Sequence, residues 1–154
     1  MATVTDFIGR HQVIGLDTPV FIYQYEAAPD YLSATETLFT SVSGGLVEAV
    51  TSVITLAEVT VKPLSEGRLD LVDLYYAIFL RFPNLRMSDI DIGTAQRAAQ
   101  LRAKHRLRIA DTLQIAACLE AGATGFVTND RQLQAVNELE VFVLADSDDV
   151  LHRS

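Results

Sequence analysis

Short, unbroken apolar runs alternate along this chain with longer stretches whose apolar residues recur every three or four positions. His11–Leu16, the Val-rich Leu46–Ile54, Phe126–Thr128 and Val141–Leu144 are the runs, and Leu85–Ser88 reads as a short edge strand. Runs that do not alternate with polar residues suit strands covered on both faces. Between them the spacing predicts helices. One starts at Thr18-Pro19, with Thr as cap and Pro at the first helical position. One spans Ser33–Ser43, placing Leu38, Phe39 and Val42 on one side, and stops at Gly44-Gly45. Thr55-Leu56-Ala57-Glu58 matches a capping box opening a helix that breaks near Pro63. Gly67–Phe82 carries Leu69, Val72, Tyr76 and Phe79 as a core stripe, and Asp91–His105 follows. Asp111–Ala121 is apolar nearly all round, as in a helix covered on several sides. Asn129 or Asp130 caps a short helix ending near Glu138, and residues 3–10 form a short leading helix.

Strands alternating with helices indicate an α/β fold, a central parallel sheet of four to five strands between helical layers. Right-handed crossovers make all strands point one way, and ligands then bind beyond their carboxyl ends. The expected organisation is one domain over residues 1–154, with a leading segment 1–11 and a polar tail 146–154.

Composition narrows the picture. The chain has 154 residues, about half of them hydrophobic, and no apolar run long enough to span a membrane. The start MATVTDFIGRHQ lacks a cationic region followed by an apolar block, so a cytoplasmic protein is expected. Cys118 is the lone cysteine and lies inside an apolar helical pattern, which makes it a structural thiol. A net charge of -8 argues against coating nucleic acid non-specifically and favours a basic protein partner. Positive charge is concentrated locally: Arg97, Arg102, Lys104, Arg106 and Arg108 are five of the twelve cations. Arg106 and Arg108 are the candidate contacts to a phosphate-bearing substrate, against a plain solvated helix face for the group. Arg102 falls on the alanine side of its helix and needs a partner. Tyr23, Tyr25, Tyr75 and Tyr76 suit core or dimer packing better than base stacking.

The candidate chemistry is acidic. Asp17 and Asp130 stand where strands stop, and Glu58 and Asp111 stand in first helical turns. Each alone has a structural explanation, as a turn residue, a cap or a dipole partner. A parallel sheet brings all four to one edge, where two anions about 5 Å apart repel by roughly 3 kcal/mol at an effective dielectric of about 20. Such a cluster calls for a cation, and oxygen-only ligation suits Mg²⁺ or Mn²⁺. His11, His105 and His152 are scattered without zinc-ligand spacing. No Gly-rich phosphate loop and no GxSxG elbow occur. Metal-assisted phosphodiester hydrolysis is the expected reaction. A receiver-like signalling domain would want a lysine after a late strand, and none occurs beyond Lys104.

Four motifs carry a resemblance: LDTPVFIY around Asp17, TLAEV around Glu58, RIADTLQIAACLEAGA around Asp111, and FVTND ending at Asp130. In this order they make the chain similar to the PIN-domain nucleases, especially the single-domain VapC-type toxins. The resemblance implies a three-layer α/β/α fold and Mg²⁺- or Mn²⁺-dependent endoribonuclease activity. Asp17, Glu58, Asp111 and Asp130 would form the site, with Asp17 and Asp111 as direct metal ligands. Thr18, Thr128 and Asn129 would support it. It also implies an RNA substrate, a homodimer, and a small antitoxin that inserts a basic residue into the acidic pocket. A catalytically inactive PIN fold serving as RNA-binding or scaffold module is the alternative. Pro19 departs from the family, which has Asn or Ser there, and so does the leading segment.

Overall fold

The structure, a computed structural model, describes residues 2–150. Its centre is a five-stranded sheet, all parallel, built from β1 (Val13–Leu16), β2 (Glu48–Ser52), β3 (Leu85–Ser88), β4 (Gly125–Thr128) and β5 (Glu140–Val143). The strand order β3-β2-β1-β4-β5 places β1 in the middle. The chain winds outward from β1 to β3 and then crosses back to β4 and β5. The order therefore reverses between β1 and β4, and a crevice opens beyond their carboxyl ends.

Alternation along the strands divides the core in two. Ile14, Leu16 and Val127 join a cluster with Phe7, Phe21, Leu38, Tyr75 and Phe79. Phe126 and Val50 join another with Ala98, Leu101, Ile115 and Cys118. The first face is covered by α1 (Val4–Ile8), α2 (Thr18–Tyr25), α3 (Leu32–Ser43), α4 (Val53–Ser65) and α5 (Leu69–Arg81). The second is covered by α6 (Ile92–His105) and α7 (Ile109–Glu120). This is the expected three-layer α/β/α arrangement. At Gly15 the layers touch: an added Cβ would stand 2.7 Å from both the Cys118 sulfur and the Phe126 ring. The missing side chain lets α7 lie directly on β1. Cys118 is fully buried there, its thiol pKa pushed up by burial, as suits a structural cysteine.

Several boundaries differ from the sequence expectation. Strand β2 ends at Ser52, whose hydroxyl accepts from the Ile54 amide and caps α4. Thr55 therefore lies inside the helix, and Glu58 is no capping-box partner. Asp17, not Thr18, caps α2. Helix α4 runs through Pro63 to Ser65, giving up one amide hydrogen bond near its carboxyl end. The segment after Asp130 is a 3₁₀ turn, Arg131–Ala135, which stops short of Glu138 where Val136 turns extended. In α5, Val72 and Phe79 are buried as expected, but Leu69 is 63% exposed. The leading helix α1 packs on α3, and Phe7 stacks at 4.8 Å from Phe142 of β5. The supposed polar tail folds back here as far as it is described: Val150 is buried and the Asp149 carboxylate accepts from the Val4 amide. Among the described residues, no helix is long and apolar enough to cross a membrane.

Candidate active site

Asp17 leaves β1 in extended conformation and opens α2. It is only 8% exposed. Its Oδ1 accepts from the Thr18 amide at 2.9 Å and its Oδ2 from the Thr128 hydroxyl at 2.7 Å. Burial pushes its pKa up to about 6. The two hydrogen bonds oppose that rise, and the negative charges of Asp111 and Glu58 add to it. Asp17 thus feels two other acids from elements far away in sequence.

Each of those acids has its own nearest donor. The Thr18 hydroxyl donates to Glu58 Oε1 at 2.7 Å, so a single residue braces both Asp17 and Glu58. Arg108 Nε donates to Asp111 Oδ2 at 3.1 Å, and its Nη2 to Oδ1 at 3.4 Å. Asp130 Oδ1 accepts from the Gln132 amide, while the Asp130 amide donates to Thr128 Oγ1. Thr128 therefore ties Asp17 to the Asp130 backbone.

The four acids expected from sequence line one cleft of about 190 Å³, together with Thr18, Pro19, Ile22 and Arg108. They have not closed on a common centre. Among the described residues, no three acidic, His or Cys side chains stand assembled as a ready cation cage. Each carboxylate is turned to its own donor, and Arg108, 78% exposed, is the cation facing them. Asp111 holds its guanidinium more firmly charged, and Asp130 and Glu58 add to this. The donor set is nonetheless one a hard divalent ion fits: only oxygen ligands, one deeply buried carboxylate, and an exposed arginine opposite.

Other expected positions fall elsewhere. Asn129 points away from the cleft, donating to the Tyr23 hydroxyl at 3.0 Å and accepting from the Ala145 amide at 2.9 Å. It fastens the end of β4 and supports the site only through the backbone. Arg106 ends α6 in a left-handed conformation, outside the cleft lining. Arg102 donates to the Leu107 carbonyl at 2.6 Å rather than to an acid. Arg97 and Lys104 pair with Glu120 and Glu138. Tyr25 and Tyr75 meet edge-on inside the first core, and Tyr23 stacks on Tyr31 at 4.4 Å. The buried polar set behind the cleft, Thr51, Ser52, Thr55 and Gln114, was not expected. Its one sequence signal is an amide at position 114 within an otherwise apolar helix.

A family model described as the PIN domain matches residues 14–139. The chain belongs to the PIN-domain family. No curated protein matches it in sequence. Solved structures share the fold at low identity. VapBC2 from Rickettsia felis, bound to a promoter DNA fragment, superposes with a TM-score of 0.68 at 18% identity, over 85% of this chain and 98% of that one. VapC20 from Mycobacterium tuberculosis, a Sarcin-Ricin loop cleaving toxin, gives 0.66 at 17% identity over 83% and 98%. FitAcB from Neisseria gonorrhoeae gives 0.65 at 20% identity over 86% and 99%. The PIN match starts at β1, so the leading helix α1 lies outside it.

Proposed function

We propose that this PIN-domain protein is a Mg²⁺- or Mn²⁺-dependent endoribonuclease, the VapC-type toxin of a toxin–antitoxin pair. The observation that carries this reading is the shared cleft: Asp17, Glu58, Asp111 and Asp130 come from four separate segments to one crevice at the carboxyl ends of the strands. Asp17 and Asp111 would hold the ion, with Glu58 and Asp130 completing the acidic wall. A bound ion would neutralise charge on the phosphate and sharpen water as a nucleophile. Glu58, the most solvent-exposed of the four, is placed to take the proton as water oxygen bonds to phosphorus and the bond to the leaving ribose oxygen breaks. Thr18 and Thr128 keep the carboxylates aimed.

The fold neighbours include a toxin–antitoxin complex from Klebsiella pneumoniae and a member of the VapBC family of toxin–antitoxin systems, which supports an antitoxin partner here. A basic side chain from such a partner would compete for the cleft that Arg108 already faces. Helices α4 and α5 leave Val61, Leu64, Leu69 and Leu80 exposed, an apolar surface for a second copy or the antitoxin to cover. Calorimetric titration with Mn²⁺ tests the reading: micromolar to millimolar binding together with RNA cleavage and growth arrest on expression is expected. A protein that binds no Mn²⁺ is a scaffold or RNA tether instead.

Arg108 would exchange Asp111 for an RNA phosphate. Arg108→Ala is expected to weaken binding of a non-cleavable RNA several-fold. It should also reduce the log–log salt slope of binding by about 0.7, the share of one phosphate contact on a single strand. Arg106→Ala, outside the cleft, should change neither. Equal slopes for wild type and Arg108→Ala would remove Arg108 from RNA binding.

A further inference from the structure

We propose that Gln114 is a positioning residue whose buried amide sets the mutual placement of the three elements carrying Asp17, Glu58 and Asp111. The proposal rests on the nuclease reading above and assigns a role within that same site.

Gln114 is 2% exposed in a helix whose other buried residues are apolar except Thr112, and the Thr112 hydroxyl donates within its own helix, to the Ile109 carbonyl. Its Oε1 accepts from the Ser52 hydroxyl, and its Nε2 donates to Thr55 Oγ1 and, at 3.4 Å, to the Leu16 carbonyl. The Thr51 hydroxyl adds bonds to the same Leu16 carbonyl at 2.9 Å and to Thr55 Oγ1 at 2.8 Å. Two of these partners, Leu16 and Thr55, lie close in the chain to acids of the cleft. Leu16 immediately precedes Asp17. Thr55 lies one turn before Glu58, and its hydroxyl is 3.4 Å from that of Thr18, which braces both acids. Gln114 itself lies one turn after Asp111. The network therefore joins α7 to the end of β1, the end of β2 and the first turn of α4.

Packing alone does not ask for an amide here. Replacing a buried polar group and its partners with apolar groups of like shape is often neutral for stability. An apolar residue could seal α7 to the sheet, but it would leave the helix without the directional bonds that fix its height above Leu16 and Thr55. Hydrogen bonds made directly to metal ligands are worth about 10–100-fold in affinity, and Gln114 acts one step further out, through the strand end and helix turn that carry the acids.

The test uses the whole protein and Mn²⁺ alone. Gln114→Leu is expected to lower Mn²⁺ affinity at least tenfold by calorimetry. It should also lower kcat for RNA cleavage at saturating Mn²⁺ while leaving KM for RNA unchanged. Gln114→Leu also takes the acceptor from the Ser52 hydroxyl and the amide donor from Thr55, so urea unfolding in EDTA should show lost stability. Adding Thr55→Val makes the second partner apolar as well, while Thr51 keeps the Leu16 carbonyl, and should recover part of that stability without restoring Mn²⁺ affinity. If Gln114→Leu does not fold, Thr55→Val alone, a milder cut in the same network, should weaken Mn²⁺ three- to fivefold. Affinity that returns together with stability, or variants that bind Mn²⁺ as the wild type does, would overturn the positioning role and leave the nuclease reading intact. A wild type that binds no Mn²⁺ would remove both.

Discussion

Asp111→Asn is expected to abolish RNA cleavage, by a factor of about a thousand or more, with the fold intact. Asp111 sits in the first turn of α7, partly buried in the cleft wall, and among the described residues its carboxylate is bonded to exposed Arg108. Asn keeps the shape and can still accept from Arg108, so little stability is lost. The negative charge that would hold a divalent ion is gone. A thousandfold loss corresponds to about 4 kcal/mol in the barrier, within what a properly held metal contributes to phosphoryl chemistry. Single-turnover cleavage of a labelled RNA, with circular dichroism and melting as controls, makes the comparison. An Asn variant within tenfold of wild type would exclude Asp111 from the mechanism.

Asp17→Asn is expected to stabilise the metal-free protein near neutral pH while also removing activity. Burial and two neighbouring acids raise the Asp17 pKa from 3.8 to about 6. The native state therefore holds this proton more tightly than the unfolded chain does. Below pH 4 the group is protonated in both states and has no effect. Between pH 4 and 6 the unfolded chain ionises first, so the native state loses stability as pH rises. Above pH 6 the whole cost is present, roughly 3 kcal/mol at most. Asn removes that cost but weakens the bonds from Thr18 and Thr128, leaving a net gain of about 1–2 kcal/mol. Urea unfolding in EDTA across pH 4 to 8 should show the variant's advantage over wild type growing from pH 4 to about 6 and then holding constant. Added Mn²⁺ should reverse the order, stabilising wild type through binding and leaving the variant unchanged. A less stable Asp17→Asn protein at pH 7 would contradict this account of the buried carboxylate.

Both effects trace to one feature legible in the sequence: carboxylates placed where strands stop and helices start. The strand runs and helical periods were readable because residues buried on both faces of a sheet must be apolar throughout. The acids were readable as a group because a parallel sheet delivers every strand end to one side. Helix starts were less readable. Thr55-Leu56-Ala57-Glu58 has the form of a capping box, but Ser52 caps α4 and Thr55 is spent inside the buried network. A cap motif registers local hydrogen-bonding capacity, and a tertiary partner can claim it first.

The amino-acid order by itself determined the three-layer α/β architecture, the family and the acids that meet. It did so because hydrophobic period and strand-end position are local properties, expressed whatever else the chain touches. Only the tertiary structure decided which donors hold those acids. Thr18 serves two carboxylates, Arg108 alone of its cationic cluster lines the cleft, and Gln114 bonds to residues far from it in sequence. These pairings depend on side-chain directions set by tertiary packing, and sequence spacing carries no information about direction across the core.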